Sequence, residues 1–169
     1  CAAMCAGVFG AGDVILLDID AHRLELAKRL GLATYTINPS AESAEEAVRA
    51  LTQGRGADAV IEAAGGADTF QTAWQIARPN SVVALVAMYE QAQPFPLPNM
   101  YGKNLIFKTG GVDAVHCDRL MKLIACGKLN TDFLITHRAP LNDLMEGYHV
   151  FGGKQEHCLK WAVTPPVNK

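Results

Sequence analysis

The sequence predicts an α/β fold of the doubly wound type, in which helices cover both faces of a parallel sheet. Short apolar runs alternate with segments whose apolar residues recur at helical spacing, and this is the pattern of strands joined by helices. The run at 81–88 is almost wholly apolar, as expected for a strand that is buried on both faces. Asp18 ends an earlier apolar run, and open α/β sheets bind ligands at the carboxyl ends of their strands.

The individual elements follow from the same pattern. Asp20 and Ser43 precede amphipathic segments and are predicted to cap two helices. We expect further helices over 70–77, after Asp118 as a cap, and from Leu144 to the glycine pair at 152–153. The predicted strands lie at 14–18, 33–37, 57–63, 81–88, 105–109, 134–136 and 159–163.

Three shorter stretches complete the chain. Residues 1–12 are rich in small residues and predict a helix that ends in glycines. Pro79 and Asn80 predict a turn ahead of the apolar run. Residues 91–100 contain three prolines and predict an extended loop without a regular element, because proline disfavours helix and strand interiors.

Length and charge exclude several classes of function. The chain has 169 residues and is half hydrophobic, so it can bury one sizeable core and is too short for two ordinary domains. A net charge of −2 provides no basic field for nucleic acid or for an anionic membrane. The sequence shows neither a membrane-spanning apolar run nor a leader pattern. We therefore expect no nucleic-acid or membrane partner.

The cysteines indicate a reducing compartment. There are five of them, an odd number without a CxxC pair, and this favours free thiols and a cytoplasmic location over disulfides. The chain does not begin with methionine. We expect Cys1 to be an internal residue of a longer protein.

Asp18 is the strongest single candidate for ligand binding. A carboxylate at the end of the second strand of a dinucleotide-binding fold accepts hydrogen bonds from the hydroxyls of the adenosine ribose. The alternative is a helix cap, a role for which Asp20 is better placed. Arg23 lies one helical turn further on and is a candidate for contact with the adenosine ribose or a phosphate. As a lone arginine on a helix face, it is equally well explained as a solvated side chain.

A dinucleotide-binding fold also needs a glycine-rich turn about twenty residues before this acid. Gly7, Gly10 and Gly12 precede it but do not have GxGxxG spacing. The sequence therefore predicts a Rossmann-like doubly wound parallel sheet that lacks its first strand. That strand would lie between 14–18 and 57–63. These two strands would then draw together, accept a strand from a neighbouring chain, or leave a marginally stable protein.

Small residues end three further strands of the predicted sheet. They allow a flat ring or a ribose to approach the backbone closely. Each segment is a weak signal alone, because an ordinary turn or core position explains it as well. Their coincidence with Asp18 predicts one binding site at the strand ends. The segments are Glu62–Gly66, Val86–Met88 and Thr109–Gly111.

Other catalytic constellations are not recognisable in the sequence. The five histidines, and the pair His116 and Cys117 with Cys126, fit no zinc-ligand spacing. There is no GxSxG turn for a nucleophilic serine. Tyr101 and Lys103 are two residues apart, which does not match the spacing of four in short-chain dehydrogenases. We therefore predict no catalytic residue and no metal ligand in this chain.

Six stretches, taken together in order and spacing, carry a family resemblance. They are Val14–Asp20, Arg23–Lys28, Ile37–Pro39, Gly54–Gly65, Leu134–Arg138 and Leu159–Lys160. The chain resembles the C-terminal, NAD-binding half of medium-chain, zinc-dependent alcohol and polyol dehydrogenases over essentially its whole length. Glu62 and the sequence Ile135-Thr136-His137 make the resemblance specific.

The resemblance implies roles at both ends of a bound NAD. Asp18 is similar to the ribose-binding acid that favours NAD over NADP, and Arg23 to a basic residue beside that ribose. Lys160 matches a position that pairs with the pyrophosphate. The residues implied around the nicotinamide are Val86, Ala87, Met88, Thr109, Gly110 and Gly111. Of these, Ala87 replaces the commoner glycine at the strand end that faces the nicotinamide. Ala63 and Gly65 join the predicted cofactor site because they are small residues at the end of a strand.

The resemblance also limits what this chain can do. In the family, the catalytic zinc ligands and the proton relay precede the dinucleotide fold, and zinc acidifies the bound alcohol for hydride transfer. We therefore expect no catalysis from this chain alone. Residues 1–128 are predicted to form a partial dinucleotide-binding domain. Residues 129–169 are predicted to return to the absent catalytic domain. The complete enzyme would act on a small-molecule alcohol as a homodimer or homotetramer.

Two other functions stay open at this stage. A methyltransferase-like domain also ends its second strand in an acid, which binds the ribose of S-adenosylmethionine. The terminal strands at 134–136 and 159–163 argue against it. A non-catalytic remnant that acts only by association through exposed edges is the other alternative. It predicts no nucleotide affinity.

Overall fold

Every strand pairing that the structure describes is parallel, as predicted for an α/β fold. The structure is a computed structural model that describes residues 1–111 and 114–166. The chain divides into two units, Cys1–Asp113 and Ala114–Lys169. The boundary predicted after residue 128 separates a partial dinucleotide-binding domain from a segment of a catalytic domain, and it stays a prediction.

The first unit alternates helices and strands in the predicted order. Its helices are α1 (Ala2–Val8), α2 (Ala21–Arg29), α3 (Ala44–Leu51), α4 (Thr69–Ile76) and α5 (Leu97–Met100). Its strands are β1 (Ile15–Leu17), β2 (Tyr35–Ile37), β3 (Ala57–Glu62), β4 (Ala77–Leu85) and β5 (Ile106–Thr109). They form two sheets, with orders β1-β2 and β3-β4-β5.

Two helices of this unit begin at the residues that their sequences predict. The carboxylate of Asp20 accepts hydrogen bonds from the N–H groups of His22 and Arg23. The hydroxyl of Ser43 accepts one from the N–H of Glu46. Each side chain satisfies donors that the first turn of a helix leaves without partners.

The two sheets of the first unit share one hydrophobic core. Val83 of β4 is fully buried, and Ile37 of β2 and Val48 of α3 are nearly so. A second cluster joins Phe70 and Trp74 of α4 to Met100 and the partly buried Phe107. Helices and strands thus bury their apolar faces against each other.

β1 and β3 do not pair with each other in the described residues. Both nevertheless pack on the same core, through Ile15 and Leu17 of β1 and Val60 of β3. The two strands thus share a core without forming a hydrogen-bonded pair. Ile61 of β3 is 46% exposed.

Two predictions within the first unit are wrong in detail. Residues 91–100 contain α5, and a 3-10 turn follows at Tyr101–Lys103, because Pro98 lies in the first helical turn, where proline is tolerated. Pro79 and Asn80 lie inside β4. Asn80 has φ of 58°, and the pairing with β3 shifts from Ala57 opposite Ala77 to Ala59 opposite Val82, so β4 has three extra residues in this irregular part of the pairing.

The second unit contains α6 (Cys117–Ala125), β6 (His137–Pro140), α7 (Leu144–Gly152) and β7 (Trp161–Thr164). Asp118 lies inside the first turn of α6, whose N-cap is His116, so the predicted cap is wrong by two residues. No helix of the described residues is long and apolar enough to cross a membrane.

The strand predicted at 134–136 is also displaced. A 3-10 turn covers Asp132–Leu134 and β6 begins at His137. The backbone N–H groups of Ile135 and Thr136 bond to nearby carbonyls of this turn. The hydroxyl of Thr136 accepts a hydrogen bond from the N–H of Leu159 at 3.0 Å. The side chain of Thr136 thus provides a hydrogen bond where backbone pairing between two strands was predicted.

Candidate functional site

Asp18 follows β1 directly, as the sequence predicts. Its N–H donates to the carbonyl of Ile37 at the end of β2, which continues the parallel pairing. Its Oδ1 accepts a hydrogen bond from the N–H of Asp20 at 2.9 Å. The side chain is 29% exposed, and Oδ2 lies 3.9 Å from Nη1 of Arg23. A carboxylate oxygen in this position retains capacity to accept further hydrogen bonds.

Arg23 lies in the first turn of α2 and faces two carboxylates. Its Nε is 3.6 Å from Oδ2 of Asp20, in addition to the contact with Asp18. Its side chain is 49% exposed. The structure therefore brings Asp18 and Arg23 together, with one guanidinium shared between two acids.

The turn after β3 is held by the carboxylate of Glu62. Its Oε1 accepts hydrogen bonds from the N–H groups of Ala64 at 2.8 Å and Gly65 at 2.9 Å. Gly65 has φ of 69°, in the left-handed region that glycine adopts without strain. Ala63 precedes this turn and is exposed.

The segment after β4 lies against this turn. A Cβ atom placed on Gly65 would be 2.7 Å from the carbonyl oxygen of Met88 and 3.3 Å from Cβ of Ala87. The N–H groups of Val86 and Ala87 both donate to the main-chain carbonyl of Glu62, at 2.8 and 3.2 Å. Met88 is 93% exposed. The structure thus brings together Gly65 and the predicted segment Val86–Met88.

Thr109 ends β5 and pairs with Leu85, the last residue of β4. This register places Thr109 beside the start of the predicted segment that follows β4. Gly110 and Gly111 come next and are exposed. A Cβ atom on either glycine would meet open space, so no neighbouring atom requires glycine there.

Sequence reasoning missed a polar cluster around Glu62. Only 5% of this residue is exposed, and its Oε2 is buried without a hydrogen-bond partner among the described residues. The hydroxyl of Thr69 lies 3.1 Å from that of Tyr89 and donates to the carbonyl of Gly66. The sequence did contain one indication of a special role for Glu62, because this acid ends a predicted buried strand and directly precedes a run of small residues. Nothing in the sequence pointed to Thr69 or Tyr89.

The cluster holds a charged acid beside a neutral phenol. Burial raises the pKa of Glu62, but the hydrogen bonds from the N–H groups of Gly65 and Ala64, with the favourable influence of the nearby Tyr89 and Thr69 hydroxyls, outweigh it, so the pKa lies below its ordinary value of 4.5. Burial raises the pKa of Tyr89 to about 12, and the nearby charge of Glu62 adds to this rise.

Lys160 belongs to the second unit, where it precedes β7. Its side chain is exposed. Its main-chain carbonyl accepts hydrogen bonds from the N–H of His137 and the hydroxyl of Thr136. The predicted contact of Lys160 with a pyrophosphate stays a prediction.

Metal ligands do not gather in the described residues. No group of three or more His, Cys, Asp or Glu side chains lies there in positions that could hold a metal ion. The side chains of the described residues therefore do not fit a zinc centre.

Comparison with known proteins identifies the family. The family model of the zinc-binding dehydrogenases matches residues 1–114. An alcohol dehydrogenase of Cupriavidus necator is 30% identical over 98% of this chain and 46% of its own length. Alcohol dehydrogenase TADH from Thermus sp. ATN1 superposes with a TM-score of 0.90 and 32% identity, over 98% of this chain and 47% of its own.

A protein from Sinorhizobium meliloti 1021, solved with NADP bound, superposes with a TM-score of 0.78 and 26% identity. The match covers 85% of this chain and 43% of that one. The chain thus spans slightly less than half of the length of each of these proteins. It belongs to the zinc-binding dehydrogenases, a family of oxidoreductases, and corresponds to the C-terminal half of these proteins.

Proposed function

We propose that this chain provides the nicotinamide dinucleotide site of an NAD-dependent zinc alcohol or polyol dehydrogenase. The observation that carries the proposal is Asp18, a partly exposed carboxylate held at the end of β1, where dinucleotide folds bind a ribose. Membership of the dehydrogenase family supports it. The NADP bound to the Sinorhizobium meliloti protein supports a dinucleotide as the ligand.

Asp18 is the residue that would select NAD over NADP. Its Oδ1 is engaged by the N–H of Asp20, so Oδ2 is the oxygen that would accept hydrogen bonds from a ribose. A phosphate in place of a ribose hydroxyl would bring a second negative charge against Oδ2. Arg23 is divided between Asp18 and Asp20, so it does not fully neutralise the charge of Asp18 that would oppose the phosphate.

The ends of β3 and β4 would hold the nicotinamide half. When bound, the nicotinamide ring would accept or donate the hydride. Gly65 lets the two strand ends approach each other. Val86, which is 55% exposed, and the more exposed Met88 offer apolar surface for a flat ring and would exclude water from its face. Thr109, Gly110 and Gly111 would complete this side of the pocket.

The zinc chemistry of the family is not assigned to this chain, because the described residues contain no ligand set for it. We propose that the chain does not oxidise alcohols by itself and that its activity belongs to a longer protein with a small-molecule alcohol as substrate. A cytoplasmic location and a homodimeric or homotetrameric complete enzyme are part of the same proposal.

Ligand titration tests the proposal. The full chain is titrated with NADH, with S-adenosylmethionine as competitor, by calorimetry and nicotinamide fluorescence. We expect NADH to bind and S-adenosylmethionine not to displace it. Binding of S-adenosylmethionine instead would favour a methyltransferase-like function. Failure of both to bind, together with self-association, would favour a non-catalytic protein. Alcohol oxidation by the chain alone would contradict its proposed dependence on further residues.

A further inference from the structure

Glu62 combines three features that a fold alone does not require. It is buried, it is charged, and one of its carboxylate oxygens is buried without a hydrogen-bond partner among the described residues. Burying a charge is unfavourable unless hydrogen bonds compensate it, and a well-packed neutral side chain is often as stable. A charged side chain at this position is therefore not explained by packing.

The contacts of Glu62 converge on the two segments that carry the predicted nicotinamide residues. Its carboxylate fixes the turn after β3 through the N–H groups of Ala64 and Gly65. Its main-chain carbonyl fixes the segment after β4 through the N–H groups of Val86 and Ala87. One residue thus sets the position of both segments.

A second link joins the same two segments. Tyr89 follows the β4 segment, and its hydroxyl is 3.1 Å from that of Thr69 at the start of α4. Thr69 in turn donates to the carbonyl of Gly66 at 2.9 Å. Both hydroxyls lie near enough to the Glu62 carboxylate to favour its charged form. The cluster of Glu62, Thr69 and Tyr89 is therefore a polar clasp between the two strand ends.

We propose that Glu62 is a positioning residue for the nicotinamide half of the cofactor, acting through the Ala64–Gly66 turn and, with Thr69 and Tyr89, through the Val86–Met88 segment. The inference rests on the proposed function and deepens it. Its contacts involve the ends of β3 and β4, and none of its hydrogen bonds reaches Asp18 or Arg23. Removing Glu62 therefore affects the two halves of a bound dinucleotide unequally.

Two ligands separate this role from a general loss of structure. ADP-ribose contains the adenosine half of the cofactor without nicotinamide, whereas NADH contains both. We expect Glu62→Ala to weaken NADH binding by on the order of tenfold, because the turn after β3 loses its two charge-assisted hydrogen bonds, from the N–H groups of Ala64 and Gly65. Glu62→Gln keeps an acceptor at the same position and should restore part of the affinity. ADP-ribose should bind all three proteins alike.

A matched control comes from the same loop. Asp68 precedes α4, and its side chain makes no capping hydrogen bond. Asp68→Ala removes an exposed carboxylate and should leave the affinity for NADH unchanged. If Glu62→Ala does not fold, Glu62→Gln and Tyr89→Phe carry the test, with NADH binding weakened severalfold in each.

The ionisation of Tyr89 provides a spectroscopic readout. The negative charge of Glu62 contributes to the raised pKa of Tyr89, so Glu62→Gln should lower this pKa. The tyrosinate absorbance is titrated in both proteins, and a Tyr89→Phe variant identifies the transition. An unchanged titration would show that the carboxylate does not act on Tyr89 and would overturn the clasp.

The binding outcomes distinguish the inference from the proposed function. A selective loss of NADH affinity supports the positioning role. An equal loss for NADH and ADP-ribose in the Glu62 variants would reduce Glu62 to a structural residue and overturn the inference, while the proposed function stands. Unchanged NADH affinity in Glu62→Ala would overturn it as well. If the unaltered chain binds neither ligand, the proposed function fails and the inference fails with it.

Discussion

A Cβ atom on Gly65 would lie 2.7 Å from the carbonyl oxygen of Met88, which is closer than side-chain carbons approach backbone oxygens in proteins. The contact joins the turn after β3 to the segment after β4. The contact is therefore a second reason for glycine at this position, in addition to the positive φ that Gly65 adopts.

Gly65→Ala should be strongly destabilising, and Gly31→Ala serves as its control. Gly31 has nearly the same φ, 65° against 69°, but a Cβ atom there meets no neighbour. The control should lose about 1–2 kcal/mol from the backbone alone. Gly65→Ala should lose a further 1–3 kcal/mol, to order of magnitude, from the clash. Chemical denaturation measures both. Equal losses would show that the contact with Met88 is unimportant.

Lys103 should stabilise the end of α4. Its Nζ donates hydrogen bonds to the carbonyls of Trp74, Gln75 and Ala77 at 3.0, 2.6 and 2.9 Å. These are among the carbonyls that a helix end leaves without partners. Lys103→Met keeps an unbranched apolar side chain but removes the donors, together with the Nζ that lies 5.4 Å from the centroid of the Trp74 ring. We expect it to lower the free energy of unfolding by about 2 kcal/mol.

Lys108→Met is the corresponding control. Lys108 is an exposed residue of β5, and its replacement should change the free energy of unfolding by less than about 0.5 kcal/mol. Both variants are compared with the unaltered chain by urea denaturation at neutral pH. A loss of equal size at the two positions would contradict the role given to Lys103.

Stability should fall on acidification through Glu62. Its pKa is lower in the folded chain than its ordinary value of 4.5, so the unfolded chain binds the proton more tightly. The contribution of Glu62 is therefore complete above pH 4.5 and is lost as the pH falls through the folded pKa. The free energy of unfolding is measured across this range in the unaltered chain and in Glu62→Gln. We expect a shallower acid-side decline in the variant, and parallel curves would contradict the shift.

Gly147 of α7 should not tolerate a side chain. A Cβ atom there would lie 2.6 Å from the indole of Trp161 in β7, so Gly147→Ala should destabilise the second unit by about 1–3 kcal/mol. Gly152 ends the same helix and has open space around it, and Gly152→Ala should cost little. Thermal unfolding of the two variants measures the difference. Similar melting temperatures would contradict close packing between α7 and β7.

Local chemistry made much of the fold predictable. Asp20 and Ser43 correctly predicted where α2 and α3 begin, because helix capping depends only on residues that are neighbours in the sequence. The parallel sheets were predictable because apolar runs alternate with segments of helical spacing, and this pattern is visible over short stretches of sequence. Proline was misinterpreted at 97–100, because it breaks a helix interior but is accepted in a first turn.

Long-range contacts escaped prediction. The hydroxyl of Thr136 replaces backbone pairing at the predicted strand only because Leu159 lies beside it in the fold. Within the candidate site, Asp18 was identifiable from its place after an apolar run. The pairing of Tyr89 with Thr69 depends on how β4 and α4 lie together, and no pattern in the sequence encodes it.

The ratio of the affinities for NADH and NADPH tests the central claim most directly. It is measured in the unaltered chain, in Asp18→Asn and in Asp20→Asn. Asparagine caps helices as well as aspartate does, so the Asp20 variant removes a nearby charge while retaining the cap. We predict that the unaltered chain prefers NADH by on the order of tenfold or more, that Asp18→Asn largely removes this preference, and that Asp20→Asn retains most of it. An unchanged preference in Asp18→Asn, or an equal loss in both variants, would contradict the assignment of Asp18 as the ribose-binding acid.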